Sequence, residues 1–117
     1  MNEERSARHM TAQVQKELNT IVKTIVDTGI VSKIILFGSM ARGDETPDSD
    51  IDLCVLTPIK DRRPLDISID LRMAVRKLQK SPLDLLTYNQ ERFSEHAAEP
   101  RSFENIISTE GVTLFER

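Results

Sequence analysis

Two aspartates one residue apart, Asp50 and Asp52, stand at the head of the apolar run Leu53-Cys54-Val55-Leu56, and a third, Asp84, interrupts a second run, Leu83-Asp84-Leu85-Leu86. An ionised carboxylate in an apolar strand costs several kcal/mol unless a cation or a set of donors meets it, so the three acids pose one question. Residues two apart on a strand share a face and lie roughly 6.6 Å apart, which lets their side chains converge on metal ions about 3.5–4 Å apart. An all-carboxylate donor set suits Mg²⁺ or Mn²⁺ rather than zinc. The chemistry of such a pair is phosphoryl-type transfer, in which one ion activates the attacking oxygen and the other steadies a triphosphate. Upstream, Gly38-Ser39 supplies the other half of a nucleotide site. A glycine lets the backbone approach a phosphate, the helix start behind it offers unpaired N–H groups, and Ser39 adds a hydroxyl. Neither GxxxxGK[ST] nor GxGxxG is present, so this is not a P-loop or a dinucleotide fingerprint.

The elements around these residues follow from periodicity. Met10, Val14, Leu18, Ile21, Val22 and Ile25 recur at helical spacing, which predicts a helix from about Ser6 to Thr28, ended by Gly29. Lys33 to Phe37 reads as a buried strand that hands over to the Gly-Ser turn, with a short helix from Ser39 stopped by Gly43. Asp50 to Leu56 alternates as a second strand, turning Ile51, Leu53 and Val55 to one face and Asp50, Asp52 and Cys54 to the other. A helix is predicted over Leu65–Gln79 with Ile67, Leu71, Val75 and Leu78 as its stripe, then a strand over Leu83–Tyr88. Glu91–Glu99 is weakly helical, Pro100 opens a last helix carrying Phe103, Ile106 and Ile107, and Val112–Phe115 is a final strand. This order predicts an α/β (α+β) chain with a small mixed sheet of about four strands flanked by helices, as a single domain over residues 1–117.

The string Gly38-Ser39-Met40-Ala41-Arg42-Gly43, followed by Ser49-Asp50-Ile51-Asp52-Leu53 with ten residues between Ser39 and Asp50, resembles the signature of the DNA polymerase β nucleotidyltransferase superfamily. It is similar to the smallest branch, the minimal nucleotidyltransferases (MNT domain proteins), and the likeness runs over nearly the whole chain. The resemblance implies a polymerase-β-like nucleotidyltransferase fold, Asp50 and Asp52 as ligands of two Mg²⁺, and Asp84 as a further metal ligand that helps activate the acceptor hydroxyl. It also implies that Gly38 and Ser39 contact the phosphates of ATP, with Arg42 as a candidate triphosphate contact. Many members of the branch are antitoxins paired with a HEPN-domain toxin, and some silence it by moving AMP from ATP onto a toxin tyrosine. The resemblance therefore implies a protein adenylyltransferase acting as antitoxin within a hetero-oligomer. Met40 stands where many relatives carry a larger polar or basic residue, so any phosphate contact from that position is lost here.

Each signal has a plainer reading. Asp50 and Asp52 could be solvated acids of an edge strand. Ser39 could cap its helix, Asp84 could pair with a buried arginine, and Arg42 could be a surface charge. His9 and His96 show no ligand spacing, and Cys54 reads as a small buried hydrophobe. At 117 residues and a net charge of −3 the chain has room for one core and none for a second, acceptor-binding lobe. That makes a small-molecule nucleotidyltransferase of the aminoglycoside-modifying kind, whose members carry an extra helical domain, the weaker expectation. It also leaves open a non-catalytic antitoxin that neutralises its partner by complex formation alone. The acidic balance, one Tyr and no Trp argue against direct nucleic-acid binding. No apolar run approaches the ~20 residues of a membrane span and no secretory signal is evident, so a cytoplasmic location is expected.

Overall fold

The computed structural model describes residues 10–46 and 48–117. The chain runs α1 (Ala12–Asp27), β1 (Lys33–Phe37), α2 (Ser39–Arg42), β2 (Ile51–Thr57), α3 (Pro64–Val75), β3 (Leu83–Asn89), α4 (Gln90–Ala97), α5 (Phe103–Glu110) and β4 (Val112–Glu116). The strands form one mixed sheet in the order β3-β2-β1-β4. β1 pairs antiparallel with β2 and with β4, whereas β2 and β3 are parallel and are joined through α3. The predicted mixed four-stranded sheet flanked by helices is therefore what forms.

Alternation along the strands decides which helix covers which face. Ile34, Leu36, Ile51, Leu53 and Val55 pack with Leu18, Ile21 and Ile25 of α1 and Ile67, Leu71 and Val75 of α3. On the opposite face Ile35, Cys54 and Leu56 pack under Phe93 of α4 and Ile107 of α5. β2 is thus covered on both sides from Leu53 onward, which explains its continuous apolar sequence after Asp52. Cys54 is fully buried as expected, and burial pushes its thiol up to about 12, so it is an inert packing group.

Three element boundaries differ from the sequence reading, each because a local hydrogen bond outranks periodicity. The helix expected from Ser6 begins at Ala12 within the described residues, because the Thr11 hydroxyl caps it by accepting from Val14 N at 3.1 Å; Ser6 to His9 lie outside the described residues. α3 stops at Val75 rather than Gln79, since Arg76 N and Leu78 N turn back to Met73 O and Val75 O, and this leaves Leu78 38% exposed instead of in the core. The last helix starts at Phe103, not Pro100, because Ser102 caps it through Asn105 N. Of the residues expected on its stripe, Ile107 is buried while Phe103 and Ile106 face solvent. Among the described residues no helix is long and apolar enough to cross a membrane.

The approach to β3 is fixed from α1. Glu17 accepts from Lys80 N at 2.5 Å, Ser81 N at 2.7 Å and Ser81 Oγ at 2.7 Å. Burial works to raise the Glu17 carboxyl, but the Ser81 and Lys80 N–H donors and the Ser81 hydroxyl outweigh it and hold it below its ordinary value. A carboxylate depressed in the folded state adds stability above its unfolded value and loses it as pH falls through the folded one. Glu17→Gln should therefore cost about 1 kcal/mol at neutral pH, a charge-assisted contribution reduced by solvent screening, and flatten the acid limb of the stability curve. Urea unfolding between pH 3 and pH 7 checks both.

Candidate active site

The strand register assembles the site. Phe37 of β1 lies opposite Asp52 of β2, and Asp52 lies opposite Asp84 of β3. Opposed residues project to one face, so Phe37, Asp52 and Asp84 form a row across three strands. It is the face that α4 and α5 cover further along, where Cys54 and Leu56 are buried. That cover stops short of Asp52, which is half-buried, while Asp50 is exposed just before β2 begins. The expectation that all three acids sit in apolar surroundings thus holds for Asp52 alone. Asp50 precedes the strand and Asp84 lies on the outer strand, so both reach water.

The Gly-Ser turn meets this row directly. Gly38 has φ 77° and ψ −157°, a conformation that belongs to glycine. The carboxylate of Asp52 occupies the space that a Cβ on Gly38 would fill, with Asp52 Cγ 3.1 Å from that position. Gly38 also takes the cap position of α2 with no side-chain capping bond, so the alternative role of Ser39 as helix cap is not realised. The first N–H groups of the turn, those of Ser39 and Met40, have no partner within so short a helix. Gly43 ends it at φ 81° with N–H to Ser39 O at 2.9 Å.

Burial first, then the like charges of Asp84 and Asp50, raise the Asp52 carboxyl above its ordinary value, and the Arg42 guanidinium opposes them. Asp84, Asp50 and Arg42 are therefore each within electrostatic reach of Asp52. They have not converged, however. Among the described residues no three His, Cys, Asp or Glu side chains are gathered closely enough to hold a metal ion as they stand. Asp84 Oδ1 lies 4.0 Å from Arg72 Nη2, an arginine that is half-exposed rather than buried. Arg42 Nε donates to Asp44 Oδ2 at 3.3 Å on the surface. The donor chemistry fits a hard divalent cation, being carboxylates on one face with like charges acting on Asp52, provided Asp84 leaves Arg72.

Sequence reasoning missed Arg72, because nothing in its own helix signals that it reaches the backbone on either side of Asp84. Apart from the row of acids, both carboxylate oxygens of the partly buried Glu45 are shielded from solvent with no hydrogen-bond partner among the described residues, beside a cavity of about 340 Å³ lined also by Met40, Thr46 and Ser49. Its position in a polar loop gives no sequence signal of burial. A larger groove of about 670 Å³ lies at the other end of the sheet, by Ser32, Lys33 and Glu116, away from every acid named above. His96 is exposed, and His9 lies outside the described residues.

The model of the nucleotidyltransferase domain family matches residues 15–110. A candidate protein adenylyltransferase of Methanocaldococcus jannaschii is 28% identical over 115 residues, spanning 98% of this chain and 100% of that one. Among solved structures, a candidate nucleotidyltransferase of Sulfolobus solfataricus superposes with a TM-score of 0.61 at 21% identity, covering 97% of this chain and 86% of the other. A mutant of the toxin–antitoxin MntA–HpeT gives a TM-score of 0.51 at 22% identity over 85% and 73% of the two chains. At those identities the two structures speak for the fold. Since the family model spans most of its length, from α1 through α5, the chain belongs to the nucleotidyltransferase domain family and is an enzyme of that class.

Proposed function

We propose that the enzyme transfers AMP from ATP onto a hydroxyl, most simply that of a tyrosine, of a partner HEPN-domain toxin in the cytoplasm, and thereby acts as its antitoxin. The observation that carries this reading is the row of Asp52 and Asp84 on the open end of one sheet face, directly against the Gly38 turn. The full-length likeness to a candidate protein adenylyltransferase supports a protein acceptor, and the fold likeness to a toxin–antitoxin chain supports its class.

In this reading Gly38 and Ser39 receive the phosphates: the missing Cβ allows close approach, and the turn N–H groups and the Ser39 hydroxyl donate to the oxygens. Arg42 leaves Asp44 to meet the triphosphate. Asp50, Asp52 and Asp84 would hold two Mg²⁺, with Mn²⁺ as a substitute. When bound, these ions stabilise the charge on the transferring and leaving oxygens. Asp84 takes the proton of the acceptor hydroxyl, whose oxygen bonds to the α-phosphorus as the bond to pyrophosphate breaks.

The pairing of Asp84 with Arg72 favours a second reading, a binding module that neutralises its partner without transfer. Incubation with α-labelled ATP, Mg²⁺ and the product of the neighbouring gene separates the two. Label is expected on a tyrosine of that product, reduced by about 10³-fold or more when Asp50 and Asp52 are both alanine, the loss of several kcal/mol of transition-state stabilisation. Labelling that survives the double substitution would remove the acids from the reaction. Neutralisation without ATP would establish the binding module.

A further inference from the structure

One end of the row that carries Asp52 and Asp84 is aromatic. Phe37, opposite Asp52, makes an edge-to-face pair with Phe103, the first residue of α5, with ring centroids 6.0 Å apart at 86°. Such a contact takes up one face of a ring at most, and Phe103 is 50% exposed, so a face of its ring stays open to water beside the candidate active site. Among the described residues it is the one exposed aromatic ring: Phe93 is buried, and Phe37, Tyr88 and Phe115 are partly covered.

The ring is fixed by its flanks rather than by burial. Between α4 and α5 the chain turns through Arg101 at φ 71°, a left-handed conformation that is costly for a residue with a side chain and persists only where the surroundings impose it. Here they do. Ser102 Oγ donates to His96 O at 2.7 Å and accepts from Asn105 N at 2.9 Å, and Asn105 Nδ2 donates to Ala97 O at 2.9 Å. Glu104, next in the chain, accepts from Tyr88 Oη of β3 at 2.9 Å. Residues on both sides of Phe103 are thus tied to α4 and to the sheet. A preorganised apolar ring left in water suits a ligand that brings a flat surface of its own.

Position decides which ligand. Phe37 is followed directly by Gly38, whose turn receives the phosphates in the reading above, whereas the acceptor hydroxyl goes to Asp84 on the outermost strand. β2 lies between, so Asp84 stands roughly 10 Å from Phe37 at the backbone. A tyrosine ring lying on Phe103 would hold its hydroxyl on the Phe37 side of Asp52, short of Asp84. A nucleobase lying there is joined through its ribose to an α-phosphate at Asp52, with the remaining phosphates at the Gly38 turn. The spacing therefore favours the base.

We propose that Phe103 seats the base of the nucleotide, a stacking platform that makes the enzyme prefer purine to pyrimidine nucleotides because the larger base covers more of the ring. The proposal rests on nucleotide binding at the Gly38 turn and adds where the base lies and which class of base is chosen.

Calorimetric titration of a non-hydrolysable ATP analogue, its UTP counterpart and inorganic tripolyphosphate, each with Mg²⁺, tests this on the wild type, Phe103→Ala and Phe103→Tyr. The wild type should bind the ATP analogue several-fold more tightly than the UTP analogue. Phe103→Ala should weaken the ATP analogue about tenfold, narrow that gap and leave tripolyphosphate unchanged, whereas Phe103→Tyr, which keeps the ring, should stay within about twofold of the wild type. Tripolyphosphate weakened as much as the ATP analogue in Phe103→Ala would make Phe103 a support for the turn and overturn the proposal. Unchanged binding of the ATP analogue in Phe103→Ala would overturn it too, and slower labelling of the neighbouring gene product in that variant would then assign the ring to the acceptor. A wild type that binds none of the three would overturn the nucleotide reading itself, and the base seat with it.

Discussion

Asp52→Asn should abolish nucleotidyl transfer and, in metal-free buffer, make the fold more stable. Burial and the charges of Asp84 and Asp50 raise the Asp52 carboxyl, so the folded protein holds this proton to higher pH than the unfolded chain does. Stability must then fall as pH rises from the ordinary aspartate value through the raised one, and a neutral amide removes that fall. Asp52 is half-exposed, and solvent screening limits the gain to about 0.5–1 kcal/mol, or about 2–5 °C in melting temperature for a chain of this size. The gain should vanish below pH 3, where the carboxyl is protonated in both states, and scanning calorimetry across pH reads it directly. Transfer should drop by about 10³-fold or more, because a carboxylate ligand is lost from the reacting centre. An Asn variant that is less stable than wild type at neutral pH would mean that the acids are not crowded, and the row would lose its electrostatic rationale.

Gly38→Ala should abolish transfer with the opposite effect on stability. Its backbone, at φ 77° and ψ −157°, lies where a side chain costs about 1–3 kcal/mol, and the new methyl would also collide with the Asp52 carboxylate. The combined loss should be about 2–4 kcal/mol, measured by chemical denaturation. The two contributions separate in a double variant. Removing the carboxylate with Asp52→Ala relieves the collision and leaves the backbone strain, so Gly38→Ala should cost about 1 kcal/mol less in that background. A cost equal in both backgrounds would mean that the turn and the aspartate do not touch.

Local signals made much of this arrangement legible. Strand alternation put Asp52 on the face opposite Ile51 and Leu53, and the glycines at 38 and 43 marked a turn that the backbone angles justify. What escaped was set by groups far apart in sequence. Whether Asp84 was buried depended on which strand lay outermost, and β3 does, so the acid reaches water and Arg72. The end of α3 depended on two hydrogen bonds that a periodic stripe ignores, which is why Leu78 was assigned to the core. The carboxylate oxygens of Glu45 are shielded from solvent beside a cavity that residues of distant segments, Val14 and Pro82 among them, help to line, and nothing in the Asp44-Glu45-Thr46 stretch announces it.

The register between β2 and β3 has a consequence of its own. Ile51 opposite Leu83 and Leu53 opposite Leu85 lock the strands through the core, and the same pairing sets Asp52 opposite Asp84. A slip of β2 by one residue would carry Asp52 into the hydrophobic interior and expose Leu53, a loss no marginally stable fold could absorb. The aspartates of this row are therefore aligned by the leucines and isoleucines on the reverse of the sheet. Misalignment at the site is penalised as misfolding.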